Sequence, residues 1–153
     1  MEHAEKTLEH TQSLEQYWRL SDATLSSLID FVYTFDREGR FLYANKPLLD
    51  LWGLTLENAL GKNFFDLQYP AELAERLQRQ IQQVFATGKR LSDETPYTNL
   101  TGGVGYYEYV FCPVLGVKGA VELVAGSTRD ISERKIAEEA PATTDRRSAN
   151  RGD

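Results

Sequence analysis

The hydrophobic and polar positions of the chain follow two periods, and the changes between them divide the sequence into strands and helices. Apolar residues alternate with smaller or polar ones over residues 31–35, which predicts a β-strand. The next four residues, DREG at 36–39, are typical of a tight turn, because aspartate bonds local backbone and glycine accepts a positive φ. Residues 40–44 resume a strand, and Asn45 with Pro47 favours a helix start. The stretch therefore predicts a β-hairpin that leads into a helix.

The strongest helical spacing runs from Pro70 to Gly88. One face of this predicted helix is apolar and the opposite face is charged or polar, as in a helix that covers a core. The apolar face consists of Leu73, Leu77, Ile81, Val84 and Phe85. Shorter helical pieces are predicted between the hairpin and Pro70.

Three further strands are predicted after the long helix, at about Lys89–Tyr97, Val104–Val114 and Ala120–Thr128. Glycine-containing turns separate them, and short turns between adjacent strands imply antiparallel pairing. The order of two strands, helices and three strands indicates an α+β domain.

Residues 1–30 are predicted to form a flanking helix with an apolar stripe at heptad spacing. The stripe follows Leu14, Trp18, Ser21, Leu25 and Leu28. Two interpretations stay open: the helix packs on its own domain, or it pairs with a second copy of the chain. Ser21 with Asp22 could also start a second helix.

The C-terminal part begins with a predicted exit helix over residues 131–140. Asp130 and Glu133 have the spacing of a capping box, and Pro141 is expected to end the helix. Residues 141–153 contain no large apolar side chain and are expected to be a disordered tail. The predicted core domain is therefore 31–130.

Several of these features together resemble the PAS domain family. They are the turn at 36–39, Asn45 before a helix, the two long C-terminal strands, and a segment similar to the family's "D-I-T-E-R-K" exit motif. That segment is Asp130, Ile131, Ser132, Glu133 and Arg134. The resemblance covers residues 31–139 and implies a PAS fold, in which helices lie on one face of a five-stranded antiparallel sheet. It also implies a cavity between them in many members, and bacterial signalling through flanking helices, usually as dimers.

The chain departs from the family's two cofactor patterns. Flavin-binding relatives carry a reactive cysteine in a "G-x-N-C" element, whereas here Phe64 follows Gly61-Lys62-Asn63. Haem-binding relatives use a histidine on the long helix, but His3 and His10 both lie in the N-terminal extension. We therefore expect no cysteinyl flavin and no His-ligated haem, and a colourless protein. An unidentified small molecule stays open as a ligand.

Strand alternation and the family's pattern indicate a set of residues that face the helices. These side chains either fill a core or line a cavity for a small aromatic or amphipathic molecule. The candidates are Tyr33, Phe35, Leu51, Phe64, Ile81, Tyr107, Tyr109, Phe111, Val124 and Thr128.

The outer face of the sheet is predicted to be apolar enough to need a cover, from the N-terminal helix of the same chain or of a partner. A homodimer is the expected assembly. Its predicted interface consists of Leu14, Trp18, Leu25, Leu28, Val121 and Leu123.

Charge and composition exclude several other classes of protein. The net charge of −6 and pI near 5.0 argue against nucleic acid as a partner. No apolar run is long enough to span a bilayer, and the N-terminus does not resemble a signal peptide. With a single cysteine, Cys112, the chain is expected to be cytoplasmic.

The expected function is a non-catalytic sensory module that binds a small molecule or a signalling output protein, such as a kinase or regulator. A ligand-free dimerisation or adaptor scaffold is the main alternative. A small isomerase-like enzyme is the weaker one: Glu108 and Glu122 are its candidate acids within the strands, but no nucleophile–base pair or metal-ligand set is evident.

Overall fold

The computed structural model describes residues 2–98 and 103–138, which form a five-stranded sheet and its helices. The helices are α1 (Glu2–Ser26), α2 (Lys46–Trp52), α3 (Leu56–Ala59), α4 (Ala71–Thr87) and α5 (residues 132–138). The strands are β1 (Phe31–Phe35), β2 (Phe41–Ala44), β3 (Leu91–Thr98), β4 (Val104–Leu115) and β5 (Val121–Asp130). Their order in the sheet is β2-β1-β5-β4-β3, and every neighbouring pair is antiparallel. The predicted α+β architecture is confirmed.

The turn between β1 and β2 forms as its sequence predicts. One carboxylate oxygen of Asp36 accepts the backbone N–H groups of Glu38 and Arg40 at 3.0 and 2.9 Å. Gly39 has a φ of 75°, which glycine adopts without strain. The Gln78 side chain on α4 donates to the Gly39 carbonyl at 3.2 Å, so the turn is also tied to the long helix.

The long helix α4 buries its apolar face against the sheet. Leu77, Ile81 and Val84 recur at helical spacing and are all buried. Gly88 ends the helix in the left-handed region, with a φ of 65° and its N–H donating to the Val84 carbonyl. Together with the inner face of the sheet, this face forms the hydrophobic core.

Val121 does not lie on the outer face of the sheet, where we predicted it. The register pairs Val114 with Leu123 and Leu115 with Val121, so Glu122 is an extra residue in β5. The irregularity reverses the side-chain alternation at the start of the strand. As a result Val121 packs against the core, and its predicted part in a dimer interface has no support from its position.

Helix α1 is continuous through Ser21, and its apolar stripe is not packed on its own domain. No residue of α1 is buried, and Leu14 and Trp18 are 55% and 54% exposed. Leu25 is half-buried, whereas Leu28 lies after the helix and is exposed. The sequence left open whether the helix packs on its own domain or pairs with a second copy. The structure shows that the stripe does not pack on its own domain.

The buried side chain of Asn45 joins α1 to the sheet. Asn45 occupies the N-cap position of α2, as predicted, but makes no capping bond there. Its amide nitrogen donates to the carbonyl oxygens of Leu25 and Asp30 at 2.8 and 3.0 Å, and its amide oxygen accepts the Val32 N–H at 3.1 Å. One side chain therefore satisfies three backbone groups where α1 meets β1.

Two hydroxyl groups also hold the end of α1. The Tyr43 hydroxyl donates to Asp22 at 2.6 Å, and the Ser26 hydroxyl accepts the Lys46 N–H at 3.2 Å. Burial, reinforced by the bond to Asp22, raises the pKa of Tyr43 to about 12. The end of α1 is therefore fixed to the core domain, although the rest of the helix is exposed.

No helix in the described ranges, 2–98 and 103–138, combines the length and hydropathy needed to cross a membrane. The end of the exit helix, Pro141 and the predicted tail lie outside those ranges, so the expectations for them stay predictions.

Candidate functional site

A cavity of about 510 Å³ lies between the inner face of the sheet and a cover made by α2, the segment 64–70 and α4. Its volume is within the range of small-molecule sites. Leu51 and Gln68 are exposed at its rim. The residues that line it are Phe31, Tyr33, Phe41, Leu48, Leu51, Trp52, Phe64, Leu67, Gln68, Tyr69, Pro70, Leu73, Leu77, Thr95, Pro96, Tyr97, Tyr107, Tyr109, Phe111 and Thr128.

Most of the predicted cavity residues meet at this site. Those that line it are Tyr33, Leu51, Phe64, Tyr107, Tyr109, Phe111 and Thr128. The prediction was wrong for three residues, which lie in the packed core with no exposed surface: Phe35, Ile81 and Val124. Phe35 pairs with Val124 at the hairpin end of the sheet, and Ile81 lies one turn beyond Leu77. There α4 packs directly on the strands, so no space remains.

Five aromatic residues of the wall were missed by the sequence analysis. Phe31 and Phe41 lie in β1 and β2, and the alternation that placed Tyr33 inward could have found Phe31. Trp52 ends α2, Tyr69 lies in the irregular segment before α4, and Tyr97 lies near the end of β3. The Trp52 indole N–H donates to the Tyr69 hydroxyl at 3.0 Å across the cover of the cavity. For Trp52 and Tyr69 the only signal in the sequence was a large aromatic residue in or beside an irregular segment, which carries no periodicity.

The tyrosine hydroxyls of the site are neutral at physiological pH. Tyr33 and Thr128 share a hydrogen bond of 2.7 Å between adjacent strands, and the Tyr109 hydroxyl donates to the Gln80 side chain at 2.7 Å. Burial is the main cause that raises the pKa of Tyr33, well above its usual value. Burial likewise raises the pKa of Tyr109 to about 12. These groups therefore act as hydrogen-bonding hydroxyls and not as bases.

Tyr97 connects the cavity to the end of β5. Its ring stacks on the ring of Tyr107, with centroids 3.9 Å apart and planes inclined by 11°. Its hydroxyl donates to one carboxylate oxygen of Asp130 at 2.6 Å, and the other oxygen accepts the Ser132 N–H at 2.9 Å. A Cβ atom at Gly105 would collide with the Tyr97 ring, so this position of the ring requires glycine there.

The ionisation of Asp130 follows from these bonds. Partial burial acts to raise the pKa of Asp130, but the hydrogen bonds from Ser132 and Tyr97 outweigh it and hold the pKa below its usual value. Because its pKa is depressed, ionised Asp130 contributes to the stability of the folded state. This stabilisation is lost as the pH falls through that pKa.

The predicted exit motif lies against β3 and β4. Asp130 ends β5 and the helix begins at Ser132, one residue later than a capping role for Asp130 requires. Ile131 is buried, and its N–H donates to the Tyr106 carbonyl at 2.9 Å. Glu133 is exposed.

Ion pairs hold the first turn of α5 on the same two strands. Arg134 forms ion pairs with Glu108 at 3.0 Å and Glu94 at 3.1 Å, and Lys135 lies 2.8 Å from Glu94. Each pair is partly exposed and contributes little alone, but the set fixes where the helix leaves the sheet.

The acids proposed for an isomerase-like reaction do not reach the cavity. Glu108 is paired with Arg134, Glu122 is exposed, and neither is a lining residue. Within the described residues no group of three potential ligands could hold a metal ion. Phe64 lines the cavity and Cys112 does not. The expected lack of haem and flavin stays a prediction.

Comparison with known proteins agrees with this geometry. A family model described as the PAS fold matches residues 25–136. A diguanylate cyclase of Vibrio cholerae serotype O1 is 33% identical in an alignment of 122 positions that covers 77% of this chain. The chain spans only 37% of the length of that relative, so the cyclase activity belongs to the larger protein.

Solved structures share the fold at lower identity. The PAS domain of Bordetella pertussis BvgS has a TM-score of 0.64 and 23% identity, over 88% of this chain and 98% of that domain. A complex of VqmA from Vibrio cholerae with a ligand and DNA has a TM-score of 0.64 and 22% identity, over 77% of this chain and 51% of VqmA. This neighbour was solved in complex with DNA. The expectation that nucleic acid is not a partner, which rested on net charge alone, therefore has no support here. The family match spans most of the chain and the fold agrees with it, so the chain belongs to the PAS family.

Proposed function

We propose that the chain is the ligand-sensing module of a bacterial signalling protein. It binds a small molecule in the cavity and relays its state through α1 and the exit segment. The observation that carries the proposal is Tyr97, which lines the cavity and also donates a hydrogen bond to Asp130 at the exit. VqmA, a neighbour in fold, has been solved with a ligand, which supports a ligand for this chain.

The relay follows from two bonds of Asp130. A ligand that displaces the stacked rings of Tyr97 and Tyr107 must also move the Tyr97 hydroxyl, and with it one partner of Asp130. The other carboxylate oxygen of Asp130 holds the first N–H of α5. Occupancy of the cavity is thereby coupled to the order of the exit helix.

Replacing Asp130 with alanine is expected to fray α5 without unfolding the sheet. Loss of a side chain that accepts an N–H at a helix start costs about 1 kcal/mol, which changes the helix–coil balance of a short helix several-fold. Amide hydrogen exchange should show lost protection confined to residues 132–138. Glu133→Ala, at an exposed position of the same helix, is the matched control. Unchanged protection in α5, or global unfolding, contradicts the relay.

The ligand proposal is tested by a thermal-shift screen of small molecules. A ligand at about 100 times its Kd stabilises the folded state by about 2.7 kcal/mol. The stabilisation should disappear in Leu73→Trp, which fills the cavity wall, and persist in Leu42→Trp, at an exposed position outside it. Equal stabilisation of both variants would place the ligand elsewhere. If no compound in the screen binds, the result favours the alternative of a ligand-free scaffold.

We further propose that the module is a homodimer through α1. The apolar stripe of α1 is exposed, while the end of the helix is fixed to the core domain by Asn45 and Tyr43. A stripe held in a fixed position and left uncovered is suited to pairing with the same stripe of a second copy. Leu123, which alternates away from the core residue Val124, stays a candidate for the same interface.

Placing two lysines on the stripe is expected to abolish the dimer. Leu14→Lys with Trp18→Lys puts charge where the two helices meet, whereas Gln16→Lys adds a charge on the opposite face and should leave the dimer intact. Light scattering on a sizing column measures the mass of each. A wild-type chain that stays monomeric at high concentration, or a double variant that still dimerises, contradicts this assembly.

The output of the module is proposed to be a kinase, cyclase or other regulator. The relative that supports this is a diguanylate cyclase, of which this chain matches about a third. A cytoplasmic location belongs to the same proposal, because it is where such output enzymes find their substrates.

A further inference from the structure

The cavity wall carries no ionised side chain. None of its twenty residues is Asp, Glu, Lys, Arg or His. A charged group that leaves water without a partner loses several kcal/mol of solvation. The wall therefore discriminates strongly against ions.

The carboxylates beside the cavity accept hydrogen bonds from neutral groups of the protein. Asp93 accepts from Gln80 at 2.9 Å, and Arg76 lies close enough to lower the pKa of Asp93, although burial acts in the opposite direction. Asp130 is held by Tyr97 and Ser132. The two carboxylates are therefore held by bonds within the protein. Arg76, whose Nε has no hydrogen-bond partner among the described residues, does not line the cavity.

Half of the wall is aromatic, and its rings offer both faces and edges. Ten of the twenty lining residues are Phe, Tyr or Trp. Phe41 and Trp52 meet edge-on with centroids 4.9 Å apart, as do Phe64 and Tyr69 at 4.8 Å. Aromatic side chains in such arrangements favour another planar ring between them.

Two hydroxyl sites on the wall can donate a hydrogen bond to a ligand. Tyr69 accepts from Trp52, and among the described residues its own hydrogen has no acceptor. Tyr33 and Thr128 have two hydroxyl hydrogens and share one hydrogen bond. One hydrogen is used in that bond, and the other is available to a ligand. Burial is the main cause that raises the pKa of both tyrosines, so each keeps its hydrogen.

We propose that the cavity selects an uncharged, planar ring compound that carries a hydrogen-bond acceptor. The inference rests on the proposed ligand-sensing function and deepens it, because it specifies the chemical class of the ligand. The aromatic wall supplies affinity, the two hydroxyl sites orient the acceptor, and the lack of a charged side chain among the lining residues disfavours ions.

Four probes of one shape test the proposal: 2-naphthamide, 2-naphthoate, 2-naphthylmethylammonium and 2-methylnaphthalene. Binding is followed by chemical-shift changes of cavity amides in the full chain at neutral pH. We expect the amide to bind at least about tenfold more tightly than either ion. We also expect it to bind severalfold more tightly than the hydrocarbon, which has no acceptor.

Variants separate the contributions of the wall. Tyr69→Phe combined with Tyr33→Phe and Thr128→Val removes every hydroxyl of the two sites and should remove the preference for the amide over the hydrocarbon. Tyr17→Phe, on exposed α1, should leave the preference unchanged. Gln68→Lys, at the exposed rim, should improve the binding of naphthoate and little else.

Each outcome has a defined meaning. An ion that binds as tightly as the amide overturns the charge selection, and an amide no better than the hydrocarbon overturns the hydroxyl recognition. In both cases the cavity is still a ligand site. If no probe shifts the cavity amides, this inference fails. The proposed ligand-sensing function fails only if the thermal-shift screen also finds no ligand.

Discussion

Replacing Asn45 with leucine is expected to lower the free energy of unfolding by about 3 kcal/mol or more, the largest loss for any single polar side chain here. Asn45 has no exposed surface and bonds to three backbone groups, at Leu25, Asp30 and Val32. Each buried group that loses its partner costs about 1–3 kcal/mol, and leucine offers none of them a bond. A loss of this size is a large part of the 5–15 kcal/mol typical of a domain.

Urea denaturation of the full chain measures the change in the free energy of unfolding. The midpoint of the transition should fall while the dependence of this free energy on urea concentration stays constant. Asn58→Leu, at an exposed position of α3, is the matched control and should stay within about 0.5 kcal/mol of the wild type. Hydrogen exchange should show the greatest loss of protection where α1 meets β1. A change below about 1 kcal/mol for Asn45→Leu would mean that water replaces the amide, contrary to its burial.

The second large effect is expected for Phe35→Ala, which should lower the free energy of unfolding by about 3–5 kcal/mol. The Phe35 ring is fully buried and contacts four other rings, those of Tyr33, Phe41, Phe64 and Phe111. Its removal leaves a void in a part of the core that α4 closes tightly. The effect is therefore on stability and not on ligand contacts.

Leu51→Ala is the informative comparison, because Leu51 lines the cavity at its exposed rim. It should change stability by less than about 0.5 kcal/mol but weaken a cavity ligand. If Phe35→Ala does not fold, Phe35→Leu provides a milder change at the same site. If a Phe35 variant stays stable but no longer binds the ligand, Phe35 is a cavity residue, as strand alternation alone predicts.

The contrast between Tyr33 and Phe35 shows where prediction from the sequence ends. Alternation along β1 correctly places both side chains on the inner face, because the period of a strand is local. Whether a side chain meets empty space or a helix depends on where α4 crosses the sheet, which is a property of packing between distant segments. The sequence therefore predicts the face but not the division of that face into core and cavity.

Other differences have equally specific causes. Val121 faces inward because one extra residue in β5 reverses the alternation, and nothing in the local sequence marks that position. Asn45 was recognised as a helix start, but its partners at Leu25 and Asp30 lie 20 and 15 residues away. The turn at 36–39 and the apolar face of α4 were predictable because their determinants are contiguous or periodic.

The neighbouring positions of β1 and β5 have a mechanical consequence. Phe31 pairs with Thr128, and Asp30 forms an ion pair with Arg129 at 3.3 Å, so the chain enters and leaves the sheet at the same end. Tension between the two flanking helices would load the hydrogen bonds between these strands one after another, as in opening a zipper, and not all together in shear. The sheet is therefore compliant along the line that joins its two flanking helices, and a modest pull in that direction separates β1 from β5 first.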